Sequence, residues 1–350
     1  MSYNKRLLVF SLAALLVLAS MFFFIGRVID FIFDLNIGSF LPLLSLVIVS
    51  TIILDKIYIN KTMASIYFFV MQLLGASFIF FAFMILFSIV YYFFPAQIVG
   101  YLFFILAIIT ITYSFINANV LRHTKIKLNF KLKKPIKLVH VSDIHLGTIL
   151  AKQFLNQLVK KINKIKPDAT LITGDLFDGS GKVTLKDLEP LKRLKSKVFF
   201  TTGNHENYSG LEEKLKMLKQ KKVQILRNKI INFKGLQIIG LDNPENELTE
   251  EIKPLNKLNE KIKKPAIIML HTPTAIGQFV KTKAKLLLSG HTHKGQIFPF
   301  TLLVRLFYKY IYGLYKLKED KFLYVSSGAG TWGPRMRLGS KSEIVSITIK

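Results

Sequence analysis

Residues 7–26 read LLVFSLAALLVLASMFFFIG, an uncharged apolar run between Arg6 and Arg27. About 20 such residues span a hydrocarbon core, so the run predicts a membrane-crossing helix. A cleaved signal peptide is the competing reading. Its apolar stretch is normally shorter and closes on a small-residue site, whereas this one runs into FFFIGRVIDF. Further apolar runs occupy 38–54, 63–94 and 97–118, the third ending at Pro95. The pattern predicts an α-helical membrane domain of about four spans.

Charge changes abruptly after these runs. Residues 1–120 hold five basic residues (Lys5, Arg6, Arg27, Lys56, Lys61) and three acidic ones (Asp30, Asp34, Asp55). The rest of the chain holds 44 of the 49 basic and 18 of the 21 acidic residues, an excess of 26 positive charges. This step divides the sequence into a membrane domain at 1–120, a basic linker at 121–134 and a globular domain at 135–350. Lys and Arg mark the cytoplasmic side of a span. Lys5 and Arg6 precede the first run, Lys56 and Lys61 separate the second from the third, and Arg122, Lys125, Lys127, Lys131, Lys133 and Lys134 follow the fourth. The opposite loops hold Arg27 with Asp30 and Asp34, and an uncharged turn at Pro95. The expected arrangement is a multi-pass protein of the cell inner membrane with its globular domain in the cytoplasm. The third and fourth runs contain no ionisable group of the kind a transport site needs, which favours an anchor over a transporter.

There are no cysteines, which excludes disulfides, thiolate metal sites and a cysteine nucleophile. In the globular half, short apolar runs alternate with lysine-rich stretches of helical periodicity. IKLVHVS (136–142), ATLIT (169–173), KVFFTT (197–202), LQIIGL (236–241), AIIMLH (266–271) and AKLLLS (284–289) read as strands. Residues 151–166 read as an amphipathic helix, and Ser209 with Glu212 forms a capping-box pattern ahead of another. Such alternation predicts a layered α/β domain. Two late runs, KFLYVS and SEIVSITIK, have no helix between them and suggest an antiparallel edge.

Polar chemistry gathers just past these strands, where open α/β sheets place ligand crevices. In chain order these residues are Asp143 and His145 (VSDIHLG), Asp175 and Asp178 (TGDLFDG), and Asn204, His205 and Glu206 (TGNHENY). His271 (MLHTP), then His291 and His293 (SGHTHKG), complete the series. Five of the seven histidines sit at strand ends. His140 lies inside a strand and reads as a core residue.

DIH, GDLFD, GNHE, the histidine before TP, and GHTH together resemble the calcineurin-like metallophosphoesterase superfamily. GHTHKGQI, with Trp332 to Glu343 downstream, is similar to its bacterial membrane-associated branch. The likeness covers about residues 135–350. It implies a layered sandwich of two central mixed β-sheets flanked by helices, and hydrolysis of a phosphoester or pyrophosphate. It also implies two divalent metal ions, manganese first, with iron or zinc as alternatives; oxygen and imidazole ligands suit all three. By resemblance, Asp143, His145 and His293 hold the first ion, Asn204, His271 and His291 the second, and Asp175 bridges them. His205 serves as general acid and Asp178 orients it.

Around this set, several readings stay open. Lys294 stands where the branch often has glycine; it contacts a substrate phosphate or is a solvated surface lysine. Arg335 and Arg337, in GAGTWGPRMRLGS, are candidates for a phosphate clamp. Residues 297–317 are densely apolar and aromatic, and form a membrane-interface segment or a packed lid. No nucleic-acid motif appears, so the basic excess points to the anionic lipid leaflet. The expected partners are the bilayer and a lipid-linked or nucleotide-linked phosphorylated substrate. The sharpest expectation is UDP-2,3-diacylglucosamine, cleaved in lipid A synthesis. A general phosphodiesterase on nucleotides or phospholipids, and a noncatalytic membrane sensor or scaffold, are the rival readings.

Overall fold

The computed structural model describes residues 3–208 and 210–350, with residues 3–8 and 10 at the level of the backbone. The chain forms two compact units: Met1–Ile116 with Gly333–Leu338, and Asn117–Trp332 with Gly339–Lys350.

The first unit contains helices α1 (Tyr3–Phe33), α2 (Leu43–Ile57), α3 (Lys61–Phe93) and α4 (Gln97–Ala118). Four helical segments, Ser11–Phe33, Gly38–Ile57, Lys61–Phe93 and Gln97–Ala118, are long and apolar enough to cross a membrane. Their polar groups have local structural duties. Buried Asp30 accepts the backbone N–H groups of Ile37 and Gly38 at 3.0 Å each, holding the turn between α1 and α2. Asn60 caps α3 by accepting the Met63 N–H at 2.8 Å. In the loop Gly333–Leu338, the Arg335 N–H donates to Gln72 Oε1 at 3.0 Å and the Arg337 N–H to the Ser114 carbonyl at 2.9 Å.

The second unit is a sandwich of two six-stranded sheets. Its strands are β1 (Leu121–Leu128), β2 (Ile136–Val141), β3 (Ala169–Thr173), β4 (Lys197–Thr201), β5 (Gln224–Ile225), β6 (Lys229–Phe233), β7 (Leu236–Gly240), β8 (Ala266–Met269), β9 (Leu286–Ser289), β10 (Gly313–Lys318), β11 (Lys321–Val325) and β12 (Ser342–Ile349). The sheet orders are β1-β12-β2-β3-β4-β5 and β10-β11-β9-β8-β7-β6. Leu138, Leu171 and Phe199 from one sheet meet Ile238, Ile267 and Leu286 from the other in the layer between them. On the outer face of the first sheet pack α5 (Lys152–Ile165), through Leu155, Leu158, Val159 and Ile162, and α7 (Leu211–Lys219). On that of the second pack α8 (Lys253–Glu260) and α9 (Ile276–Lys281). The short α6 (Asn204–Tyr208) and α10 (Phe300–Phe307) follow β4 and β9. ATLIT and LLLS are buried at every position, on both faces, so neither shows the alternation of a half-exposed strand.

Two expectations change. The basic stretch after residue 120 is not simply a linker: Leu121–Leu128 pairs parallel with β12 as an edge strand, burying Leu121, Ile126 and Leu128 while its lysines face out. The two late runs do not form an antiparallel edge together. β11 lies parallel to β9 in one sheet, while β12 is antiparallel to β2 in the other and is flanked by β1. Residues 297–317 form α10 followed by β10, and α10 exposes its apolar side chains. The capping pattern falls partly on Ser209, outside the described residues; α7 begins at Leu211 with Gly210 at its N-cap, φ 89°.

Candidate metal centre

β2, β3 and β4 run parallel, as do β7, β8 and β9, so the loops leaving each set share one edge of its sheet. Beyond the strands, the backbone turns into the left-handed region at Asp143 (φ 53°), His145 (50°), Asp175 (51°), His291 (68°) and His293 (47°). Non-glycine residues pay of order 1–3 kcal/mol for such conformations, which persist where the surroundings over-determine them and cluster at functional sites. Here they bring donor atoms from both sheets together.

Two sets of side chains offer converging ligand atoms without sharing a residue: Asp143 with His145 and His293, and Asp175 with His271 and His291. A third combines His145, Asp175 and His205; within each set the donors lie within 4.8 Å of one another. Asn204 joins the second set through Oδ1, 3.1 Å from His291 Nδ1. His145 Nε2 and His293 Nε2 face each other at 3.0 Å, and His293 Nε2 is 3.4 Å from Asp143 Oδ1. His271 donates Nδ1–H to the Thr173 carbonyl at 2.9 Å, which aims the other ring nitrogen inward. That Nε2 is buried, has no hydrogen-bond partner, and lies 3.0 Å from Asp175 Oδ2. A buried imidazole nitrogen facing carboxylates, with no sulfur nearby, fits divalent cations of the manganese, iron or zinc type.

The electrostatics express the same need for positive charge. Burial pulls the His271 imidazole down, but Asp175 and Asp143 outweigh it and raise its pKa to about 10. Burial opposes ionisation of Asp175, yet the charge of His271 holds its carboxyl well below the usual carboxylate range. Burial lowers His291 to about 3, and the charge of His271 adds to the effect, leaving His291 neutral with a lone pair for ligation.

His205 stands slightly apart. Its backbone N–H donates to Asp175 Oδ1 at 3.0 Å, and its ring Nδ1 meets the main-chain carbonyl of Asp178 at 2.6 Å. The link to Asp178 therefore differs from expectation: the backbone carbonyl holds His205, while carboxylate Oδ1 lies 3.3 Å from His145 Nδ1. Aspartate here serves the turn and the neighbouring histidine. His140 is a core residue, fully buried, with Nε2 2.6 Å from Thr173 Oγ1. Lys294 sits over the Tyr312 ring, 5.1 Å from its centroid. Arg335 is half-buried, whereas Arg337 is fully buried with its backbone N–H on the Ser114 carbonyl.

Sequence reasoning gave no role to Glu206. Fully buried, it accepts the N–H groups of Asp175 (3.0 Å), Leu176 (2.8 Å), Phe177 (3.2 Å) and Gly203 (2.7 Å), stitching the loop after β3 to the loop after β4. Burial and the Asp175 charge push its carboxyl up to about 7, against the pull of those four donors. Its place as the last letter of GNHE was the available signal. Glu206→Gln keeps the shape but turns an amide N–H₂ toward backbone donors. Metal affinity is expected to fall about 10–100-fold, as when supporting partners of ligands are lost, while far-UV circular dichroism stays native; isothermal titration with Mn²⁺ checks this. Glu247 and Tyr308 also went unassigned: Glu247 Oε2 is 3.4 Å and the Tyr308 hydroxyl 3.0 Å from His291 Nε2.

Comparison with known proteins agrees with this geometry. The Calcineurin-like phosphoesterase family profile matches residues 136–295. An uncharacterised metallophosphoesterase of Helicobacter pylori is 39% identical over 232 residues, 64% of this chain and 62% of that protein. One from Aquifex aeolicus is 32% identical over 263 residues, 70% of this chain and 98% of its own length. A Bos taurus transmembrane protein with metallophosphoesterase domain is 33% identical over 235 residues, 61% of this chain and 53% of that protein. The chain thus spans less than two thirds of several relatives, the Helicobacter protein among them, but nearly all of the Aquifex one. With its two-sheet sandwich and its His/Asp/Asn cluster at the strand ends, the chain belongs to the calcineurin-like phosphoesterase family.

Proposed function

We propose that this protein is a membrane-anchored, two-metal hydrolase of a phosphoester or pyrophosphate bond. The observation that carries the reading is the pair of donor sets that share no residue, Asp143/His145/His293 and Asp175/His271/His291. Asn204 would complete the second set, and Asp175, which also lies with His145, would be the residue common to both. Held by these residues, two divalent cations would supply positive charge at the nonbridging phosphoryl oxygens and lower the pKa of an attacking water.

The protein's own groups arrange the rest. Asp143 and Asp175 bring negative charge that draws the cations in, and neutral His291 offers a lone pair. The Asp178 carbonyl holds His205 through Nδ1, and His205 would donate a proton or hydrogen bond to the leaving oxygen. Exposed Tyr208 and Trp332 flank that ring, with centroids 5.7 and 6.4 Å away, and form an aromatic rim against which a substrate can stack.

The finer reading is hydrolysis of UDP-2,3-diacylglucosamine, with manganese as the working metal, on the cytoplasmic face of the cell inner membrane. The lysines and arginines flanking the spans support the orientation. The basic excess and the apolar exposure of α10 support a substrate that is both anionic and acylated. Detergent-purified full-length protein with Mn²⁺ is expected to release UMP from UDP-2,3-diacylglucosamine, and chelator is expected to abolish it. Hydrolysis of simple phosphodiesters without UMP release would leave the two-metal reading and remove the lipid A one. Metal-dependent hydrolysis of neither would remove both.

A further inference from the structure

Exposed apolar surface in the second unit is concentrated in one place. Phe298, Phe300, Leu302, Leu303, Leu306 and Phe307 are each 43–78% exposed, and all lie on or just before α10. Scattered exposed leucines need no explanation, but a contiguous cluster marks an interaction surface. Leu302, Leu303 and Leu306 share one side of the helix by their spacing, and buried Thr301 ties the helix down: its Oγ1 donates to the Lys294 carbonyl at 2.9 Å. The other end runs into Tyr308, whose hydroxyl touches His291. The helix is thus fastened at both ends to the turn that carries two of the proposed ligands.

The surroundings indicate what covers this face. Between residues 297 and 317 the chain has Arg305, Lys309 and Lys316 and no acidic residue, complementary to anionic headgroups. Apolar side chains with flanking basic ones are the composition of a helix lying in the membrane interface. The same chain carries four segments able to cross a bilayer, which keep a lipid surface within reach.

We infer that α10 docks into the bilayer interface, Leu303, Leu306 and Phe307 entering the headgroup–acyl boundary and Arg305 and Lys309 remaining at the lipid phosphates. Resting on the hydrolase reading above, the substrate is then a phosphoester borne by a lipid and presented from the membrane plane to the His291 turn.

The absence of native cysteines makes this testable on the full chain. Leu306→Cys, and as a control Lys164→Cys on exposed α5, are each labelled with an environment-sensitive fluorophore in phosphatidylethanolamine–phosphatidylglycerol proteoliposomes. The label at Leu306 is expected to be quenched by doxyl lipids and protected from iodide, and the control the reverse. Iodide access at Leu306 equal to the control would overturn the docking. Shielding from both quenchers would also overturn it, assigning the face to a protein contact. Separately, the double variant Leu303→Ser with Leu306→Ser is expected to keep native turnover of soluble bis(p-nitrophenyl) phosphate and to lose about tenfold or more on a lipid-borne phosphodiester, the scale expected for lost apolar anchoring. Equal loss on both substrates would overturn the substrate assignment. If the native protein hydrolyses neither, the hydrolase reading fails, whereas the quenching result decides the docking of α10 by itself.

Discussion

Asp175→Asn is expected to abolish phosphodiester hydrolysis and to weaken binding of divalent metal more than about 100-fold, beyond the loss that follows from removing a supporting partner alone. Asp175 belongs to two of the three donor sets, one with His271 and His291 and one with His145 and His205. Its carboxylate lies 3.0 Å from His271 Nε2 and 3.9 Å from His145 Nε2. Asparagine keeps an oxygen to accept the His205 N–H, so the local fold survives. What disappears is the negative charge that makes a dry pocket of imidazoles tolerate cations. The check is metal content after gel filtration together with turnover in saturating Mn²⁺. Native metal content and near-native turnover in the variant would remove Asp175 from the bridging role.

His205→Ala is expected to leave metal content unchanged while lowering kcat by about 10²–10⁴-fold, the usual contribution of a positioned general acid. The size of the loss should depend on the leaving group. An alkoxide leaves poorly without a proton, whereas p-nitrophenolate needs little help. Alkyl phosphodiesters should therefore suffer most of the loss and bis(p-nitrophenyl) phosphate little. The same factor on both substrates, or loss of metal along with activity, would assign His205 to ligation or structure instead. The position of its ring, between the Asp178 carbonyl and the exposed side chains of Tyr208 and Trp332, is what makes the leaving-group role specific.

Much of the site was legible in the sequence because each candidate ligand follows an apolar strand, and parallel neighbours put their exits on a common edge. The four apolar segments were legible for a similar reason, since length and absence of charge alone define them. The strand at Leu121–Leu128 was hidden because an edge strand tolerates the lysines that otherwise read as a linker. The partners of β11 and β12 were hidden because periodicity says nothing about which sheet a run enters. Glu206 was in view in GNHE, but its four backbone donors come from two loops that only the fold joins. Left-handed backbone at Asp143 and His291 is also hard to read from sequence, since aspartate and histidine are enriched there but most of them lie at negative φ. Tyr308 and Glu247 reach His291 across loops whose length conceals their proximity.

The most direct measurement is the metal content of active full-length protein, taken by elemental analysis beside phosphodiesterase assays before and after chelation. The expected result is about two divalent ions per chain, with activity lost on chelation and regained with Mn²⁺, as two-metal phosphoester hydrolysis requires. Protein that stays fully active with no bound divalent metal would contradict it.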